Sequence, residues 1–219
     1  MTAPGFTPSR RALLASIAAT SLAGMGLAAF PGPARAGAQI EEPLADEVRT
    51  ALSAAIANSA PPVPEFPSTP AYIAYLRWLS AMSIRLYKRI PDFNSRIEFL
   101  QTVWYESHRA GLQTSLVLGL IQVESNFRKF AVSRAGARGY MQVMPFWTRQ
   151  IGNGDPNILF FMQANLRFGC VILRYYLNSE RGNLFMALGR YNGSRGQAPY
   201  PRAVLGAQKN WLYAPNPRL

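Results

Sequence analysis

Apolar residues recur every three or four positions along most of the chain that follows residue 70. In the stretch 71–90 the spacing is carried by six large side chains: Tyr72, Tyr75, Trp78, Leu79, Met82 and Leu86. Such a period places apolar residues along one face of an α-helix, where they can pack on a core. No run alternates apolar and polar residues in the manner of a half-buried strand. The pattern therefore predicts a small all-α domain over residues 71–213.

Capping and turn-forming residues divide this region into helices. Asp92 or Asn94 is suited to cap a helix that stops at Gly111, and Thr114 or Ser115 is suited to cap the next one. The remaining predicted elements are a glycine-rich loop over 133–140, a short helix from Pro145, a helical segment from Asp155 to about Asn178, and helices over 183–192 and 201–213.

The first 36 residues have the layout of a secretory signal. Arg10 and Arg11 precede residues 12–30, which carry no charge and are rich in Ala, Leu and Gly. Two prolines then precede a small-x-small sequence that ends at Ala36. This order of charged, apolar and small residues is typical of a cleaved export signal. We expect cleavage after Ala36 or Ala38 and a periplasmic mature protein.

Two features of this segment leave alternatives open. The arginine pair resembles a twin-arginine export signal, with Leu13 where an aromatic residue is usual. Residues 12–30 are also long enough to remain as an uncleaved membrane anchor. Their Ala and Gly content makes the span only weakly apolar, which favours cleavage. No second long apolar span follows, so we expect no stable membrane insertion once the signal is removed.

Residues 37–70 differ in composition from the region that follows. They begin with the acidic sequence EEPLADE and become Ala-rich, which predicts a short helix before residue 60. Residues 60–70 contain five prolines and predict a stiff, extended linker. The predicted organisation is thus a signal over 1–36, this segment, the helical domain, and a tail over 214–219. The role of residues 37–97 stays open.

Composition excludes several classes of function. The chain is 49% hydrophobic and only 16% charged, as expected of a globular protein. One cysteine (Cys170) and one histidine (His108) exclude an intrachain disulfide, a thiolate zinc site and a multi-histidine metal site. We expect no metal and no organic cofactor. Cys170 lies in the apolar run FGCVIL and is interpreted as a core residue, although a Cys–His nucleophilic pair stays open.

The chain is strongly basic, with a formal net charge of +12. Loss of the three arginines in residues 1–36 leaves twenty basic and eleven acidic residues, a net charge of +9. On charge alone, a basic surface of this kind is compatible with nucleic acid, anionic lipid and other anionic polymers. No run of five or more like charges occurs, so we expect no nucleic-acid arm.

Glu124 is the acid with the most unusual sequence environment. It ends the apolar stretch LGLIQVESNF, in which Gly119 permits a close neighbour. Apolar surroundings and the negative end of a helix dipole both raise the pKa of a carboxyl group. A raised pKa is what a general acid near neutral pH needs. A solvated residue at a helix terminus is the simpler reading of Glu124 taken alone.

Other segments supply groups that suit a cleft around this acid. Ser133 precedes RAGARGYMQVMPFW, whose Gly136 and Gly139 allow tight turns and close approach of a ligand to the backbone. In the same stretch Gln142 offers an amide for acetamido or hydroxyl groups, and Met144 offers an apolar wall. Further along, the sequence ALGRYNGS places a tyrosine and an asparagine beside small residues.

Together these segments resemble the lysozyme-like lytic transglycosylases of the soluble (SLT) type. That family shows a Glu-Ser pair, a Gly-Leu-Met-Gln segment, a helix with Asn, Gly and Tyr-Leu, and an Ala-Tyr-Asn-Ala-Gly segment. The corresponding residues are Glu124 and Ser125; Gly139, Tyr140, Met141 and Gln142; Asn165, Gly169, Tyr176 and Leu177; and Tyr191 and Asn192 within 187–194. The resemblance covers roughly residues 98–195. The departures are Tyr140 for the usual Leu, and Gly193 and Ser194 for the usual Ala-Gly.

The resemblance implies an all-α lysozyme-like fold and cleavage of the β-1,4 bond between N-acetylmuramic acid and N-acetylglucosamine. It implies that Glu124 protonates the leaving oxygen and then deprotonates the muramic 6-hydroxyl, which closes a 1,6-anhydro ring. The other roles that it implies concern the cleft: Tyr191 holds the glutamate, Ser133 and Gln142 contact the N-acetyl sugar, Met144 lines the scissile bond, and Asn192 supports the site. Ser125, Gly139 and Met141 are the matching residues beside them.

The distribution of acids bears on the type of reaction. Hydrolytic glycosidases use a second carboxylate, about 5–5.5 Å away for retention or about 6.5–9.5 Å for inversion. No acid lies in the glycine-rich loop or the RYNGS sequence. An internal hydroxyl nucleophile removes this need, because its effective concentration is high. Glu106 is the best candidate for a second acid, although WYESHR is more simply interpreted as an exposed helical turn. A hydrolytic muramidase and a non-catalytic peptidoglycan-binding or assembly factor stay open, as does a partner in an envelope machine.

Overall fold

The computed structural model describes residues 39–57 and 65–214. Over these residues the secondary structure is helical, with isolated β-bridges at Arg138 in place of strands. The helices are α1 (Asp46–Ala57), α2 (Thr69–Leu86), α3 (Phe93–Arg109), α4 (Thr114–Ser125), α5 (Phe146–Ile151), α6 (Met162–Ser179), α7 (Leu184–Tyr191) and α8 (Pro199–Gln208), with 3₁₀ helices Pro156–Phe160 and Lys209–Trp211. The all-α prediction is confirmed.

Helix α4 runs through the centre of the core. Its residues from Leu116 to Ile121 are buried without a break, as its apolar sequence predicts. Helix α8 packs along α4 at Gly119. A Cβ atom at Gly119 would lie only 2.7 Å from the backbone nitrogen of Gln208 and 3.0 Å from the carbonyl oxygen of Val204. The predicted close neighbour of Gly119 is therefore α8.

A buried ion pair joins α3 to α6. Arg167 donates to Glu106 Oε1 at 2.9 Å, and both side chains are almost fully buried. Arg167 also donates to the Ile56 carbonyl at 3.3 Å, so the pair reaches α1 as well. The expectation of an exposed helical turn at Glu106 was wrong, because α6 and α1 cover that face of α3. Cys170 on α6 is also buried, as predicted.

Most helix boundaries lie close to the predicted ones. Asp92 is the N-cap of α3 and accepts a hydrogen bond from the Ser95 amide at 2.8 Å. The segment that was expected to run unbroken from Asp155 is instead divided at Phe161, which has extended backbone. Gln113, rather than Thr114 or Ser115, is the N-cap residue of α4, and its side chain makes no cap hydrogen bond.

The segment before the domain lies against it. Helix α1 packs on α5 and α6. Of the predicted linker over 60–70, residues 65–70 are described, and Phe66 contacts the rings of Tyr75 and Trp104. The linker ends earlier than predicted, because Thr69 and Pro70 already form the first turn of α2. The predicted signal over 1–36, the cleavage positions and the tail over 215–219 lie outside the described residues. Of the helices that are described, none is long and apolar enough to cross a membrane.

Candidate active site

Glu124 lies in the last turn of α4, which ends where Asn126 takes a left-handed conformation with φ of 49°. The glutamate is only 5% exposed. Burial raises the pKa of its carboxyl group from 4.5 to about 8, and a hydrogen bond from Tyr200 opposes this rise only in part. The carboxyl group therefore holds its proton at neutral pH, as the apolar sequence before it predicts. The solvated alternative is excluded by the burial.

The tyrosine that holds Glu124 is Tyr200, near the start of α8. Its hydroxyl donates to Glu124 Oε1 at 2.5 Å, and its ring is buried. The expectation that Tyr191 holds the glutamate was wrong: the Tyr191 hydroxyl donates to the Met141 carbonyl at 2.8 Å. Tyr191 nevertheless lies near the acid, since the charge of Glu124 adds to the burial that raises the pKa of Tyr191.

The remaining carboxylate oxygen has no protein partner. Among the described residues, no hydrogen bond reaches Glu124 Oε2, although the atom is buried. A buried polar atom normally finds a hydrogen-bond partner, and an orphan of this kind marks a place where a ligand can supply one. The geometry thus divides the carboxyl group into one oxygen bound by Tyr200 and one that is free for chemistry.

The loop after α4 is held in place by buried polar side chains. Ser125 Oγ donates to the Tyr140 carbonyl at 2.7 Å. Asn165 on α6 accepts from the Met141 amide at 2.8 Å and donates to the carbonyls of Arg138 and Leu159 at 2.8 and 2.9 Å. These bonds use the oxygen and both N–H groups of the Asn165 amide, so they fix the loop against α4 and α6.

Two glycines permit the close packing of this loop. Gly139 has φ of +76°, and a Cβ atom there would lie 2.3 Å from Asn165 Nδ2. A Cβ atom at Gly169 of α6 would lie 2.3 Å from Met141 Sδ. The loop therefore requires glycine at both positions, one for its backbone conformation and both for space. Tyr140, a departure from the family pattern, is buried and packs on Phe99 with ring centroids 4.8 Å apart.

The side chain of Gln142 is hydrogen-bonded within the loop. Its side chain is 2% exposed, and Nε2 donates to the Gly139 and Ala131 carbonyls at 2.9 and 3.1 Å. Both hydrogens of the amide nitrogen are therefore engaged within the loop. The contact of this amide with the sugar stays a prediction, and in this structure both N–H groups of the amide are bound to carbonyls of the loop.

The other predicted cleft residues remain accessible in part. Ser133 is half-buried, and its Oγ accepts from the Ala137 amide at 3.1 Å, which leaves the hydroxyl proton to donate elsewhere. Met144 is half-buried at the end of the loop. Asn192 is 6% exposed, and its Nδ2 donates to Ser194 Oγ at 3.0 Å, while Oδ1 has no partner among the described residues.

Gln39 reaches this site from outside the helical domain. Its Oε1 accepts from the Trp147 indole Nε1 at 3.0 Å and from the Met144 amide at 3.3 Å, and the side chain is 4% exposed. Its amide also lies beside the Tyr191 hydroxyl, where it lowers the pKa of Tyr191 against the larger rise from burial. Nothing in the sequence around Gln39 predicted this position.

No second acid perturbs Glu124. All eleven acids of the chain lie in the described ranges 39–57 and 65–214, and burial and Tyr200 are what set the pKa of Glu124. Glu106, the predicted candidate for a second acid, is bound by Arg167. Within the same ranges, no cluster of three or more His, Cys, Asp or Glu side chains is placed to hold a metal ion.

Residues 102–212 match the family model described as Transglycosylase SLT domain. This match spans half of the chain. The chain belongs to the transglycosylase SLT family. The resemblance inferred from the sequence is thereby confirmed, together with the lysozyme-like class of fold.

Three relatives illustrate the similarity, each named membrane-bound lytic murein transglycosylase C. The protein of Haemophilus ducreyi is 46% identical over 100 residues, which is 42% of this chain and 24% of the relative. That of Glaesserella parasuis serovar 5 is 35% identical over 100 residues, 40% of this chain and 28% of the relative. That of Mannheimia succiniciproducens is 46% identical over 48 residues, which is 22% of this chain and 13% of the relative. This chain thus covers less than a third of these relatives.

The SLT match separates the site residues into two groups. Glu124, Tyr200 and the loop between α4 and α5 lie inside the matched range, whereas Gln39 lies more than sixty residues before it. The SLT domain of this chain is therefore contacted at its site by a segment that the family model does not include.

Proposed function

We propose that this protein is a peptidoglycan lytic transglycosylase that cleaves the β-1,4 bond between N-acetylmuramic acid and N-acetylglucosamine. The observation that carries the proposal is a buried glutamate, protonated at neutral pH, with one oxygen bound by Tyr200 and the other free. Membership of the SLT family and the names of the relatives support the same reaction class.

The first half of the reaction needs a general acid. Because Tyr200 donates to Oε1, the carboxyl proton resides on Oε2, the oxygen without a protein partner. Oε2 would transfer this proton to the glycosidic oxygen as the bond from that oxygen to the muramic anomeric carbon breaks. The leaving sugar departs with a neutral hydroxyl group, and Glu124 is left as a carboxylate that the Tyr200 hydroxyl stabilises.

The second half needs a base and a nucleophile. The Glu124 carboxylate would take the proton of the muramic 6-hydroxyl while that oxygen forms a bond to the anomeric carbon. The product is a 1,6-anhydro ring, and Glu124 regains its proton, so that no water is consumed. The nucleophile belongs to the same sugar as the reacting carbon, which gives it a high effective concentration.

The use of one carboxylate is consistent with the surroundings of Glu124. A water nucleophile needs a base, and hydrolytic glycosidases supply it as a second carboxylate within about 10 Å. The buried candidate, Glu106, is engaged by Arg167 at 2.9 Å and also lies near Arg109 at 3.6 Å. An intramolecular hydroxyl needs no such second acid, which favours lytic cleavage over hydrolysis.

The surrounding residues suit a glycan ligand. In this proposal the Ser133 hydroxyl donates to an N-acetyl sugar, Met144 lines the scissile bond, and Asn192 Oδ1 accepts from the substrate. Gln142 acts indirectly, by holding the loop that carries Met144. The net charge of +9 after residue 36 would favour binding to the anionic cell wall. The export signal predicted over 1–36 would place the enzyme in the periplasm.

The test is digestion of purified sacculi, with mass analysis of the released muropeptides. We expect wild-type protein to release fragments that end in anhydro-muramic acid, and Glu124→Gln to stay folded and release none. Fragments with reducing ends would make the protein a hydrolytic muramidase. Binding to sacculi without any release would make it a non-catalytic wall-binding factor.

A further inference from the structure

Three buried side-chain atoms at the site share an unusual property. Glu124 Oε2, Asn192 Oδ1 and Gln39 Nε2 are each without a hydrogen-bond partner among the described residues. The first two belong to segments that match the SLT family, but Gln39 lies outside it. The buried Gln39 nitrogen is a donor without an acceptor, which is unfavourable, and a bound ligand with an oxygen acceptor would supply the missing partner.

The orientation of the Gln39 amide is fixed by its neighbours. Its oxygen faces two donors, the Trp147 indole N–H and the Met144 backbone N–H. A flipped amide would turn its own N–H groups toward those donors and lose both hydrogen bonds. The free end of the amide is therefore the nitrogen, which is a donor, and it lies beside the Tyr191 hydroxyl.

The segment that carries Gln39 is tied to the domain at several points. Glu41 pairs with Arg149 at 3.5 Å, and Glu42 pairs with Arg190. Gln150 donates to the Glu42 carbonyl at 3.1 Å. Helix α1, which follows directly, packs on α5 and α6. These contacts hold Gln39 in position before any ligand arrives, which is the condition for a preorganised binding group.

We propose that Gln39 is a substrate-binding residue whose Nε2 donates a hydrogen bond to an oxygen of the N-acetylated sugar bound beside Glu124. The inference rests on the proposed function, because that function supplies the sugar. It extends the site beyond the SLT domain: the segment before α1 completes the cleft. The N–H groups of Met144 and Trp147 bind the oxygen of the Gln39 amide, which leaves its nitrogen to face the ligand.

The test measures the binding of tetra-N-acetylchitotetraose by calorimetry at pH 8, in a Glu124→Gln background so that nothing is cleaved. We expect Gln39→Ala to raise Kd about five- to tenfold, the loss of one hydrogen bond to a neutral acceptor. Gln39→Glu keeps an oxygen for Met144 and Trp147 but lacks the amide N–H, so we expect a loss at least as large. Glu47→Gln, which removes an exposed acid of α1 outside these contacts, is the matched control and should keep the parent Kd.

Several outcomes would overturn the proposal, and they can be told apart. Parent-like affinity of Gln39→Glu with weak binding by Gln39→Ala would show that Gln39 only tethers the loop. Tighter binding by Gln39→Ala would show that the segment competes with the sugar. Unchanged affinity in both variants would show that Gln39 makes no contact. If the parent itself binds no oligosaccharide, the proposed substrate class fails together with the inference.

Discussion

At the scale of single residues, the proposed chemistry depends on a carboxyl group that is buried without a counter-charge. Its raised pKa is a consequence of location: an acid at the end of an apolar helix, with one neutral hydrogen-bond donor. The sequence predicted this property because the apolar run before Glu124 is continuous. It did not predict Tyr200, which lies 76 positions away and belongs to none of the motifs used to find the site.

Replacement of Glu124 by Gln should stabilise the protein in a pH-dependent way. The native carboxyl group keeps its proton up to about pH 8, whereas the unfolded chain loses it near 4.5. Between these values the native state binds more protons, so the free energy of unfolding falls as pH rises, by about 1.4 kcal/mol per pH unit at most. Gln removes this dependence. Urea titrations of both proteins at pH 5 and pH 8 should show a larger advantage of the variant at pH 8, and an equal advantage at both would contradict the raised pKa.

Tyr200→Phe should reduce the rate of cleavage more than the affinity for substrate. Loss of a hydrogen bond to the charged form of Glu124 costs about 1.5–3 kcal/mol, or about ten- to hundredfold in kcat. Because that bond lowers the pKa of Glu124, the alkaline limb of the pH–rate profile should also move to higher pH. Tyr191→Phe is the matched control, since it removes a hydroxyl that binds the Met141 carbonyl. An unmoved alkaline limb in Tyr200→Phe would contradict the role given to Tyr200.

At the scale of helices, the site depends on how closely α8 approaches α4. Gly119 is the residue that permits this approach, and the sequence already marked it as the place for a close neighbour. The identity of that neighbour could not be predicted, because the helix pairing is set by contacts some ninety residues apart along the chain. The break at Phe161 was missed for a related reason, since the surrounding apolar residues fit one long helix equally well.

Gly119→Ala should destabilise the fold and weaken catalysis together. A methyl group at this position would lie 2.7 Å from the Gln208 backbone nitrogen, so α8 must shift and carry Tyr200 with it. Overpacking of this kind costs about 1–3 kcal/mol. Gly206→Ala on α8 is the control, because nothing lies within 4 Å of its Cβ position and the alanine should be neutral or stabilising. Equal melting temperatures for the two variants would contradict the packing argument.

The buried pair of Glu106 and Arg167 should behave as a structural element. Arg167→Met leaves buried Glu106 with only the longer contact to Arg109 at 3.6 Å, and we expect a loss of about 3–5 kcal/mol in the free energy of unfolding by urea denaturation. Arg149→Met breaks the exposed pair with Glu41 and should cost less than about 1 kcal/mol. A small effect of Arg167→Met would mean that Glu106 is neutral in the native state, where burial raises its pKa.

At the scale of the whole molecule, the site is assembled from distant parts of the chain. The SLT match supplies the acid, its tyrosine and the loop, while residues 39–42 approach from outside the match. The sequence assigned these residues to an acidic segment of open role. Its composition indicated charge and a short helix, but a single glutamine buried against Trp147 leaves no local pattern to detect.

The central claim is that the muramic hydroxyl, and not water, completes the reaction. The most direct test is to digest sacculi in water enriched in ¹⁸O and to measure the masses of the released muropeptides by mass spectrometry. We expect products one water lighter than reducing-end fragments, with no heavy oxygen incorporated and no product from Glu124→Gln. Reducing ends that carry the heavy oxygen would show that water attacks the anomeric carbon, and would contradict the account.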